Sequence, residues 1–280
     1  MEENGGKTPD LVISIFDGMD SAGSKLIEGV TSVLGNTIPL IGGSTGDDYR
    51  FEKTYEYKDG EVVSGGVAGL GLAGKFSMGA GVRHGWVPIG NPMKVTKSEG
   101  SVVHELDSRP AVSIYEDYFG EKAEDLRKEP LARMAITYPL GIRIEGLDEY
   151  LIRDPITVDE NGAITCAAEI PENSEIRLMV GSREEAVKVA EIAGKKAVND
   201  LDGAPPKAVL IFNCIARNKL FGENAPDEIH AIQKAVGDKT PLLGFYTYGE
   251  QAPLEGEVRN IEKCNPAFHN ETVVILVLAE

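Results

Sequence analysis

The chain has 280 residues, 42% of them apolar, and a net charge of −17 from 28 basic and 45 acidic side chains. That length supports one large domain or two ordinary ones around a real core, and an acidic surface without a Lys/Arg cluster argues against nucleic acid and anionic membranes as partners. Met1 to Gly6 lacks the basic start and apolar core of a secretory signal, the longest apolar run (Val273 to Ala279) is far short of a membrane span, and Cys166, Cys214 and Cys264 suggest neither a disulfide framework nor a zinc ribbon. A cytoplasmic location is expected.

Leu11 to Phe16 has strand composition. Residues 21–35 place Leu26, Ile27, Val30, Val33 and Leu34 on one helical face, with Gly35 as the stop. A second strand comes next, Pro39-Leu40-Ile41-Gly42-Gly43-Ser44-Thr45-Gly46-Asp47, ending in a glycine-rich turn. Phe51 to Val87 is β-rich, with a turn at Asp59-Gly60, and Met93 to Leu106 reads as a hairpin broken at Glu99-Gly100. The character then turns helical, with Ala111, Ile114, Tyr115 and Tyr118 on one face. Three strands are expected within 131–180, punctuated by Asp154-Pro155, Asn161-Gly162 and Pro171. Ser182-Arg183-Glu184-Glu185 is a capping box that opens a helix with Ala186, Val189, Ala190, Ala193, Ala197 and Val198 inward.

A strand, Ala208 to Phe212, and a helix carrying Ile229, Ile232 and Val236 lead to Pro241-Leu242-Leu243-Gly244-Phe245-Tyr246-Thr247-Tyr248-Gly249-Glu250. This repeats the phrase begun at Pro39, with the shared skeleton P-L-[IL]-G-x-x-T and matching surroundings. The long offset points to two related half-structures rather than a solenoid. The expected fold is therefore α/β, with mixed α+β layers: two pseudo-repeated halves of mixed β-sheets flanked by helices. Nothing before the first copy matches the helix before the second, so the front half is expected to lack an opening strand and helix.

Gly69-Leu70-Gly71-Leu72-Ala73-Gly74 matches the dinucleotide fingerprint, but it lies inside a predicted strand and opens no helix, so close packing is the better reading. Gly43, Ser44, Thr45 and Asp47 form a turn whose backbone and hydroxyls suit a ligand, or which simply closes a strand. Cys214 lies just past the strand at Ala208 to Phe212; beside Arg217 or His269 it can serve as a nucleophile, and its plainer role is a buried inert thiol. Arg217 can fork onto a carboxylate and Glu250 can accept an ammonium, so a cleft with Tyr248, Gly249, His269 and Asn270 would suit an amino acid; the alternative is an Arg217–Glu250 ion pair. His84, His104 and His230 show no metal spacing, and neither metal nor cofactor is expected.

These residues carry a resemblance. The Pro39 phrase, the Glu105-Leu106-Asp107 to Pro110-Ala111 junction, Cys214 with Arg217, the run from Gly244 to Glu250, and His269-Asn270-Glu271-Thr272 resemble the FIST family (F-box and intracellular signal transduction). An N-type domain would occupy residues 1–108 and a C-type domain residues 109–280. The resemblance implies a sensory protein that binds a small ligand, an amino acid or similar metabolite, and reports to a separate signalling protein. The expected site is Cys214, Arg217, Tyr248, Gly249, Glu250, His269 and Asn270 with an edge from Gly43, Ser44, Thr45 and Asp47, acting without catalysis through ligand-linked closure of the halves. The competing readings are a thiol-dependent hydrolase or transferase using Cys214 with His269, and a ligand-free interaction scaffold.

Overall fold

A computed structural model describes residues 8–120, 134, 136–259 and 265–280; Cys264 lies outside them. The fold is mixed α/β, in two compact units: residues 1–84 with 186–280, and residues 85–185. Both copies of the repeated phrase lie in the first.

That first unit opens with β1 (Leu11–Phe16), α1 (Gly23–Leu34), β2 (Leu40–Ser44), a short hairpin of β3 (Glu56–Lys58) and β4 (Glu61–Val63), β5 (Val67–Leu72) and β6 (Ser77–Arg83). The hairpin turns at Asp59 and Gly60, both at positive φ, as the Asp-Gly pair predicts. The second unit continues with β7 (Trp86–Glu99), β8 (Val102–Leu106), β9 (Arg109–Pro110), α2 (Ser113–Phe119), β10 (Leu140–Arg143), β11 (Tyr150–Arg153), β12 (Pro155–Val158), β13 (Ile164–Cys166) and β14 (Glu175–Gly181). The chain returns to the first unit through α3 (Arg183–Asn199), β15 (Ala208–Cys214), α4 (Ile215–Phe221), α5 (Ala225–Val236), β16 (Leu242–Thr247), β17 (Glu250–Pro253), β18 (Pro266–His269) and β19 (Val273–Ala279).

Each copy of the phrase builds the same ladder. β1 pairs in parallel with β2 and antiparallel with β5; β15 pairs in parallel with β16 and antiparallel with β19. The register matches as well: Val12 donates its N–H to Pro39, and Val209 donates to Pro241. The two resulting sheets run β18-β17-β2-β1-β5 and β16-β15-β19-β6. Alternate side chains meet between them in one core, including Leu11, Ile41, Val82, Phe212, Ala252, Val274 and Leu276. The outer face of the second sheet is covered by the alanines of α3 and by Ile232 and Val236 of α5. Here α3 lies almost on the backbone of β6: a Cβ on Gly79 or Gly81 would fall 1.9 or 2.0 Å from a helix carbonyl oxygen, so only glycine fits. Gly69 and Gly71 of the fingerprint-like run lie in β5, a strand, as their neighbours predict, and Gly74 lies just past its end.

Several local expectations shift. Val33 is 68% exposed, because α1 buries only a narrow stripe through Gly23 and Ile27. Tyr118 is also exposed, since α2 buries Ile114 and Tyr115 instead. Residues 140–181 hold five strands; Asp154 alone separates β11 and β12, which take opposite ends of one sheet, so a single extended run reads as one strand in sequence. The seven-residue helix α4 is too short for its periodicity to register. The serine half of the capping box forms: Ser182 Oγ accepts the Glu185 N–H at 3.2 Å.

Candidate functional site

The parallel pairs β1–β2 and β15–β16 end on the same kind of arrangement. In the first copy the Thr45 hydroxyl donates to Glu56 Oε1 at 2.8 Å, and the Gly66 N–H donates to Oε2 at 3.2 Å. In the second, the Thr247 hydroxyl donates to Glu250 Oε1 at 2.6 Å and the Thr272 N–H to Oε2 at 3.2 Å, with the Thr272 hydroxyl adding a bond at 2.7 Å. Asp17 N–H to Gly66 O and Cys214 N–H to Thr272 O complete the correspondence. Each is a threonine–glutamate lock that ties the end of a parallel strand to the start of the antiparallel one. Both glutamates are buried. Burial pushes the Glu250 carboxyl up to about 8, against hydrogen bonds from Thr247 and Thr272 and the nearby Arg217 charge, all of which lower it.

The copies are stitched to each other. Ser44 donates its N–H to Gly249 O at 2.7 Å, and Tyr248 donates its N–H to Ser44 O at 3.1 Å. β17 continues the pairing antiparallel to β2, at Glu250↔Gly43 and Gln251↔Gly42. Gln251 bridges Ser44 Oγ (3.1 Å) and Ser14 Oγ (3.3 Å) on the opposite face. Gly43 has no room for a side chain, since a Cβ would sit 2.3 Å from the Thr247 methyl group. Tyr248 then reaches over to Asp47: its hydroxyl donates to the carboxylate and accepts the Tyr49 N–H. Burial works to raise the Asp47 pKa, but the Tyr248 hydroxyl and the backbone N–H groups of Glu52, Lys53 and Phe51 hold it at about 2. Burial first, and then the bond to Asp47, raise the Tyr248 phenol above its usual range.

Of the predicted residues, Gly43, Ser44, Thr45, Asp47, Tyr248, Gly249 and Glu250 are therefore brought together. Arg217 stands in a separate buried layer. Nε donates to Glu228 at 2.8 Å, one terminal nitrogen to Glu228 (2.5 Å) and Ala186 O (3.0 Å), and the other to Glu271 O (3.3 Å) and His84 O. Five N–H groups make five bonds. The ion pair considered between Arg217 and Glu250 is formed instead with Glu228, which also accepts from Asn213 Nδ2 at 2.8 Å. Helix α5 carries Glu228 and brings it under the end of β15, a placement that spacing along the chain does not convey.

His269 is the strand partner of Glu250, and its Nε2 meets Ala252 O at 3.1 Å. Cys214 is buried at the end of β15, 2% exposed. Asn270 is fully buried, and neither its amide oxygen nor its amide nitrogen has a hydrogen-bond partner. Sequence reasoning missed Glu56, Gln251, Glu228, Asn213 and Thr272. For Glu56 a signal existed: both copies keep the threonine, and each has a glutamate further along. No metal-binding cluster exists among the described residues, nor is any helix among them long and apolar enough to cross a membrane.

The sequence matches the FIST N domain over residues 3–109 and the FIST C domain over residues 111–253. The chain belongs to the FIST family. FIST domains are sensory domains of signal transduction, and this chain carries both. Its relatives include the uncharacterized protein MT0656 of Mycobacterium tuberculosis, 29% identical over 88% of this chain and 64% of that protein. The uncharacterized protein MJ1623 of Methanocaldococcus jannaschii is 33% identical over 79% of this chain and 47% of that protein. The FIST chain thus spans less than two thirds of the length of these relatives.

Proposed function

We propose that this FIST protein is a cytoplasmic sensor that binds an amino acid or similar small metabolite, without catalysis, and reports to a separate signalling protein. Asn270 carries the reading. A buried amide with both its donor and its acceptor unmet is destabilising by about 1–3 kcal/mol per group, and a zwitterion supplies what each lacks: a carboxylate for the N–H and an ammonium for the oxygen. Asn270 sits between His269, the strand partner of Glu250, and the Glu271-Thr272 turn that closes on Glu250. Binding there acts on the lock, and through β17 on the Ser44–Gly249 stitch between the two copies. A ligand shifts that arrangement only as far as its affinities for two states differ.

A thermal-shift screen against amino acids and common metabolites tests this. A ligand at about 100 times its Kd stabilises by about 2.7 kcal/mol. Asn270→Leu removes both unmet groups at similar volume, so the free protein is expected to gain stability and lose the ligand response. A ligand response that survives intact in Asn270→Leu places binding elsewhere and refutes the site. No response from the folded wild type to any compound favours the scaffold.

A further inference from the structure

The two copies are alike except at one edge. In the first sheet β2 is paired on both sides, in parallel with β1 and antiparallel with β17. Its counterpart β16 pairs with β15 alone and ends the second sheet among the described residues. The matched registers put Gly244 and Tyr246 where Gly42 and Ser44 stand in β2. Their N–H and C=O groups therefore face outward, as those of Ser44 do toward Gly249 and Tyr248. The cause lies in the chain between the lock residues. Thr247 is three residues from Glu250 and the chain enters β17 at once, whereas Thr45 is eleven residues from Glu56. The corresponding hairpin of the first copy, β3–β4, makes a two-stranded sheet of its own and leaves β16 uncovered.

The uncovered edge reads Leu-Leu-Gly-Phe-Tyr-Thr, with no charge and no proline, and its pairing with β15 runs without a bulge. It thus has none of the residue-level devices that protect exposed edges. Leu243 and Phe245 project from the same face and are 68% and 46% exposed. We infer that this edge is a homodimer interface: a second copy of the chain docks its own β16 antiparallel, across a two-fold axis at Gly244. This register is self-complementary, as an isologous contact must be. Gly244 faces the partner's Gly244, and Leu242 faces the partner's Tyr246. Leu243 covers the partner's Phe245, twice over, so both exposed side chains are buried. In a chain of net charge −17, an uncharged strand is also where two copies approach at least electrostatic cost.

The test is the mass of the full chain by sedimentation across a wide concentration range. The wild type is expected to reach a dimer. The L243K/F245K double variant, which sets lysine opposite lysine, is expected to stay monomeric. L243K/F245E, which sets lysine opposite glutamate in this register alone, is expected to dimerise again. Unfolding transitions establish that each variant is folded, and Leu243→Lys, at an exposed side chain, serves alone if the double variants are not. A monomeric wild type, or lysine variants that still dimerise, overturns the interface. A folded L243K/F245E that stays monomeric overturns the register about Gly244.

Discussion

Glu250 ties protein stability to pH with a sign that can be worked out beforehand. Its carboxyl titrates at about 8 in the folded chain against a reference of 4.5, chiefly because burial disfavours the charged form. A folded pKa raised above the unfolded one means that stability from this group is fully present below about pH 4.5 and is lost as pH rises toward 8. Between those limits the folded protein holds up to one more proton than the unfolded chain. Stability then falls by about 1.4 kcal/mol per pH unit, on the order of 4–5 kcal/mol across the whole window. Glu250→Gln keeps the shape and removes the titration. Its amide still accepts one hydrogen bond and can donate another to a threonine hydroxyl, so its own cost does not vary with pH. Guanidinium unfolding of both proteins from pH 5 to 9 gives the comparison. The stability of the variant relative to wild type should climb with pH and level off near 8. Parallel curves would show that the lock holds an ordinary carboxylate, and the argument from burial would fail.

Arg217→Ala strands the Glu228 carboxylate in a buried layer and should cost about 3–5 kcal/mol in denaturant unfolding; an Arg217→Met/Glu228→Leu pair should recover only part of that loss, because the carbonyls of His84, Ala186 and Glu271 and the Asn213 amide also lose a bond. Tyr248→Phe removes a hydrogen bond from Asp47, so the Asp47 pKa, held at about 2, should move up toward the usual carboxylate range in a carboxyl-resolved NMR titration. Stability contributed by Asp47 is present above pH 3.8 and lost as pH falls toward 2, so the variant should be weaker than wild type above pH 3.8, with the deficit closing as pH falls toward 2. Alkylation of the native protein near neutral pH should label Cys214 no faster than Cys166, because both thiols are buried. Selective modification of Cys214 would revive the thiol-enzyme reading.

Much of the architecture rests on local rules. Leu11 to Phe16 and Ala208 to Phe212 have strand composition, the apolar spacing in 186–197 marks α3, and Gly35 stops α1 where expected. These signals survive because a helix or strand needs only its own period and its end residues to be recognised. The glycines of β5 read as a strand for a similar reason, since Lys75 to Gly79 open no helix after them.

The site divides differently. The repeated phrase by itself singled out Ser44, Thr45, Tyr248, Gly249 and Glu250, and the structure stitches these together through β2 and β17. The sequence pattern could not say which carboxylate meets Arg217, because spacing along the chain marks neither Glu228 nor Glu250 and the choice rests on how α5 packs beneath β15. Nor could it say that Glu56 and Glu250 are counterparts, since one lies eleven residues beyond its threonine and the other three. Period and composition act over a few residues and determined the elements and the repeat. Partners of buried polar groups, the unmet amide of Asn270 and the uncovered edge of β16 depend on long-range packing, and only the tertiary structure decided them.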